Sequence, residues 1–73
     1  MKKRMSEMRV GEKAVIKEIP PDLCTIISSM GLRRNQAIEL RAIQPAKGPF
    51  VVAAGNIDVS VSRAYAEKIT VGV

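Results

Sequence analysis

The strongest constraint in this chain is one short amphipathic segment that stops at Met30-Gly31-Leu32, after which the pattern is extended. Leu23, Ile26, Ile27 and Met30 stand at i, i+3, i+4 and i+7, the spacing of one helical face. Asp22 is expected to cap that helix, and Gly31 to end it in the left-handed conformation. A helix of about nine residues is not stable alone in water. It is therefore expected to lie across a small sheet or barrel, with Leu23, Ile27 and Met30 plugging one end. Cys24, Thr25, Ser28 and Ser29 form its opposite, polar face.

The extended segments follow from period and punctuation. Ala14 to Ile19 is strand-like, with Val15 and Ile19 sharing a face with Lys17, and Pro20-Pro21 ends it. Arg33 to Gln36 reads as a polar turn in which Asn35 tolerates positive φ. Ile38, Leu40 and Ala42 alternate with Glu39 and Arg41. Gln44 to Pro49 is a loop stiffened by two prolines, Phe50 to Ala54 a strand, and Gly55-Asn56 a two-residue hairpin turn. Ile57, Val59 and Val61 alternate strictly with polar residues. A single helical turn at Arg63 to Ala66 precedes a last strand through Ile69, Val71 and Val73. The expected fold is mainly β, a small partly open barrel of about five strands with one short α-helix. One domain spans residues 1–73, and residues 1–7, polar and charged, are expected to be a flexible tail.

Composition excludes more than it assigns. The 73 residues include no histidine, one cysteine and only two aromatics, Phe50 and Tyr65. Histidine-based catalysis is excluded, and the scattered carboxylates show no paired arrangement, so no enzymatic activity is expected. Ferrous iron prefers clustered histidine, carboxylate and cysteine ligands, so no metal site and no cofactor are expected. No glycine-rich loop precedes the helix, which argues against nucleotide binding. The formal charge is +5, but without Lys2, Lys3 and Arg4 nine basic residues face seven acidic ones. The remaining charges alternate in sign, as on a solvated face, and aromatic stacking residues are scarce, so no nucleic-acid partner is expected. One cysteine permits no internal disulfide, and neither an apolar export segment nor a span of ~20 apolar residues is present, so a cytoplasmic protein is expected.

Taken in order, Gly11-Glu12 with Val15-Ile16, the helix ending Met30-Gly31-Leu32, Ile38 and Leu40 before a loop with Gly48-Pro49, the hairpin around Gly55, and Ala66 with Ile69-Thr70-Val71 resemble the FeoA-like family. The resemblance runs from about Met5 to Val71; Asn35 stands where glycine is usual and Val61 where leucine is usual. It implies an SH3-like β-barrel acting as a cytosolic accessory to FeoB, a membrane permease with a cytosolic G-protein domain, and recruitment to the inner face of the membrane. Related domains occur at the C-terminus of metal-dependent regulators, so a metal-sensing module is one alternative and a nucleic-acid-binding barrel another. The residues expected to meet a protein partner are Arg33 and Arg34, just beyond the helix, and Lys47, Pro49 and Phe50, in and after the proline-stiffened loop. The face around Cys24 and Ser28 is the next candidate.

Overall fold

A computed structural model describes all 73 residues. Six strands form one antiparallel sheet in the order β1-β6-β2-β3-β4-β5. They are β1 (Lys2–Arg4), β2 (Lys13–Glu18), β3 (Ala37–Ile43), β4 (Phe50–Ala54), β5 (Ile57–Val61) and β6 (Thr70–Gly72). The sheet curls around a core of 17 buried residues, all apolar. Register shifts in β2 between Ile16 and Glu18, and in β3 between Leu40 and Ala42, mark the irregularities that let it bend. β1 and β5 do not pair with each other, so the barrel stays open.

The sixth strand corrects the reading of residues 1–7 as a tail. Lys2, Lys3 and Arg4 pair with Gly72, Val71 and Thr70, and a 3-10 turn at Met5–Glu7 follows. Met5 is fully buried and Met8 nearly so. A strand made of lysine and arginine suits the sheet edge, where charge discourages further pairing. Lys3 also anchors it, with Nζ 2.8 and 2.9 Å from the two carboxylate oxygens of Glu12. Glu12 accepts the Arg9 amide as well, at 3.0 Å.

The Lys3 hydrogen bond foremost, and then the Arg9 amide, hold the Glu12 carboxyl below its ordinary value. Its contribution to stability is complete above the unfolded-state pKa and lost as pH falls through the lowered folded-state value. Glu12→Gln is therefore expected to be less stable than the parent at neutral pH, with the gap closing in acid. Urea melts of both proteins from pH 7 to pH 3 check this; a gap that holds constant with pH would refute it.

The helix is shorter than its pattern. Pro21–Leu23 form a 3-10 turn and α1 covers Cys24–Ser29. Asp22 does not cap it; the N-cap position is Leu23 and no side chain bonds the first turn. The C-terminus behaves as expected. Gly31 adopts φ +95°, its amide donates to the Ser28 carbonyl at 3.0 Å, and the Leu32 amide donates to Ile27 at 3.2 Å. That paired reversal brings Leu32 against the Ile27 end of the helix, and both side chains are buried. Leu23 and Ile27 face the core and Met30 packs half-buried on it, but Ile26 is 45% exposed. Ile26 stands roughly 100° around the helix from Ile27, and a helix under two turns long has only a narrow stripe to bury.

Elsewhere the alternation holds, with two exceptions. The buried face of β2 is Ala14 and Ile16, not that of Val15. Ile57 opens β5 half-exposed, while Val59 and Val61 are buried. The hairpin pairs Ala54 with Ile57 around Gly55 at φ +65°, and Arg63–Ala66 forms the expected helical turn, α2. Its N-cap, Ser62, accepts the Tyr65 amide at 3.4 Å.

Candidate functional site

The reversal at Gly31 turns the chain back along α1, so the segment 32–35 runs beside the polar helical face. Two hydrogen bonds tie the end of this segment and the residue after it to β2: the Asn35 amide donates to the Ile16 carbonyl at 2.7 Å, and the Ile16 amide donates to the Gln36 carbonyl at 3.0 Å. Asn35 adopts φ +68°, the backbone angle that its place in the sequence demands. The Gln36 side chain accepts the Arg33 amide at 3.2 Å and closes the turn.

Between β2, α1 and this turn lies an open groove of about 640 Å³, lined by Ile19, Pro21, Cys24, Ser28, Leu32, Arg33, Arg34 and Asn35. Ile19 and Pro21 supply its apolar surface over the buried Leu32, and the exposed Arg33 and Arg34 line one side. No carboxylate lines it. Nor does any reach the arginines, because the ion pairs of the chain are Lys2–Glu18 and Lys3–Glu12. The groove thus combines apolar surface with two positive charges that no carboxylate neutralises.

The expected partner residues divide into three groups. Arg33 and Arg34 are exposed on the groove and joined there by Cys24 and Ser28, which the sequence assigned to a separate face. Lys47 and Pro49 are exposed but stand beyond the other end of β3. Seven residues at ~3.3 Å each separate the ends of that strand by roughly 20 Å, so one small contact cannot use both. Phe50 is a correction. It is 1% exposed, and the Arg63 guanidinium lies over its ring at 5.0 Å. Phe50 opens a strand whose core face is Phe50, Val52 and Ala54, so the aromatic serves packing.

Residues with metal or catalytic chemistry do not converge. No group of three or more cysteine, aspartate or glutamate side chains is placed to hold an ion. Cys24 is exposed and unpaired.

The sequence model of the FeoA domain matches residues 3–73, almost the whole chain. This chain belongs to the FeoA domain family. The FeoA fold is shared with solved structures. An iron uptake regulatory protein (FeoA) superposes with a TM-score of 0.86 at 25% identity, over 99% of this chain and 96% of that one. The FeoA-like protein from Clostridium acetobutylicum superposes with a TM-score of 0.88 at 22% identity, over 99% and 86%. A manganese-dependent transcriptional repressor contains the same fold, with a TM-score of 0.87 at 19% identity, but the match spans 97% of this chain and only 41% of the repressor. No curated protein matches by sequence. No helix is long and apolar enough to cross a membrane.

Proposed function

We propose that this FeoA-family chain is a small accessory protein of ferrous iron transport that binds the intracellular region of a FeoB-like membrane permease. The FeoA domain over residues 3–73 and the likeness to an iron uptake regulatory protein support the transport part of this reading. The observation that carries the docking part is the groove, with the unpaired Arg33 and Arg34 over an apolar floor. Surface docking modulates a transporter by binding one conformation more tightly than another. The protein then works on the cytosolic side of the membrane and needs no catalysis, nucleotide or cofactor of its own. The loop with Lys47 and Pro49 is a second, separate candidate surface.

The test is capture of the permease from detergent-solubilised membranes by the immobilised chain, with and without guanine nucleotide. Capture is expected from the parent, and Arg33→Gln/Arg34→Gln is expected to lose most of it while Lys47→Gln keeps it. Absence of capture by the parent in either nucleotide condition would contradict the docking reading.

The fold likeness to a manganese-dependent repressor keeps a metal-sensing reading in view. Against it stand the missing histidines and the dispersed carboxylates. Anaerobic titration of the purified chain with Fe(II) or Mn(II) is expected to show no saturable event in the micromolar range. One-to-one binding abolished by replacing acidic residues would favour the sensor.

A further inference from the structure

The chemistry of the groove specifies its occupant more narrowly than docking alone requires. Arg33 and Arg34 are adjacent and exposed, and neither belongs to an ion pair. Asn35 and Ser28 extend the rim with an amide and a hydroxyl that make no side-chain hydrogen bond within the chain. The acidic residues closest in sequence, Glu18 and Asp22, are not among its lining, and Glu18 faces Lys2 at 3.4 Å. The rim therefore offers donors and positive charge with no acceptor carboxylate to satisfy them. The floor, Ile19 and Pro21 over the buried Leu32, favours an apolar group.

We propose that the groove holds an extended protein segment in which an apolar side chain is flanked by carboxylates. The apolar side chain sits on Ile19 and Pro21, and the carboxylates pair with the Arg33 and Arg34 guanidinium groups, whose planar fork suits bidentate contacts. A neutral segment would leave both arginines uncompensated, and a basic one would be repelled. This inference rests on the reading of the chain as a docking protein and names the segment it takes.

Selection of short random peptides displayed on phage, against the folded parent and against Arg33→Gln/Arg34→Gln, tests the inference. The parent is expected to select sequences combining acidic and apolar residues, and the double variant is expected to lose them. A synthetic copy of the strongest binder should shift the amide signals of Ile19, Ser28 and residues 32–35. Its affinity should fall about tenfold on the double variant, and again when its carboxylates are made amides or when salt shortens the Debye length from ~10 Å to ~3 Å. Ser28→Glu, a second variant that puts a carboxylate in the groove, should block it. Selection of neutral or basic sequences, selection of nothing, or amide shifts elsewhere overturns the inference. Inorganic phosphate that reproduces the peptide's shifts at equal affinity overturns it too, reducing the groove to a simple anion site. Failure of the two readings is distinguishable. If parent and double variant capture the permease equally while no acidic peptide is selected, the groove inference falls and docking stands. If acidic peptides bind as expected but the permease is not captured, docking falls and the groove chemistry stands.

Discussion

Phe50→Ala is expected to destabilise the fold by about 3–5 kcal/mol, the cost of truncating a buried aromatic in a packed core. Phe50 is the largest fully buried side chain and 1% exposed, and Arg63 caps its ring. At ~0.05–0.15 kcal/mol per residue, a chain this short holds only ~4–11 kcal/mol in total. The variant is therefore expected to be partly or wholly unfolded at 37 °C, with a urea midpoint far below that of the parent. Phe50→Leu keeps most of the apolar volume and should cost clearly less. A Phe50→Ala protein as stable as the parent but deficient in partner capture would return Phe50 to the docking surface.

Ile27→Ala is the second large effect, at about 2–5 kcal/mol. Ile27 is fully buried, and its carbonyl accepts the Leu32 amide that closes the Gly31 reversal. Truncation removes apolar contact at the point where the helix, the reversal and the sheet meet. The lower end of the range applies if α1 can settle inward, because partial collapse reduces the cavity. Ile26→Ala, one residue away and 45% exposed, should change stability by less than ~0.5 kcal/mol. Equal costs for the two would mean that the helix does not lid the barrel by the face described.

These neighbours show what the sequence disclosed and what it hid. Ile26 and Ile27 both satisfy a helical period, and only the real length of α1, six residues after a 3-10 turn, separates them. Gly31 and Asn35 were legible because few residues other than glycine and asparagine occupy positive φ easily, and both positions have it. The β4–β5 hairpin was legible because strict alternation and a glycine turn point to one register. The N-terminus was not. Met5 and Met8 are buried, yet a single pair three apart among charged residues is too short to declare a helical face. Strand β1 was invisible for a related reason, since an edge strand of three charged residues carries no apolar pattern.

The candidate site was legible in its chemistry but not in its assembly. Arg33 and Arg34 could be singled out as charges next to a helix end. That they share a groove with Cys24 and Ser28 depends on the reversal at Gly31 and on the Asn35–Ile16 hydrogen bond. Lys47 carries the same kind of charge but lies past the far end of β3, a separation that only the strand direction reveals. Phe50 misled because an aromatic beside a stiff loop suits an interface as well as a core, and alternation within Phe50–Ala54 assigns no face until the partner strands are known.

Whether the groove is the docking surface is decided by following amide signals of the labelled chain as the purified cytosolic region of the permease is added. Shifts or broadening are expected at Ile19, Cys24, Ser28 and residues 32–35, and should be absent from residues 44–49 and from the Arg33→Gln/Arg34→Gln variant. A saturating titration that leaves the groove signals unmoved, or that moves the 44–49 loop instead, would place docking elsewhere on the chain.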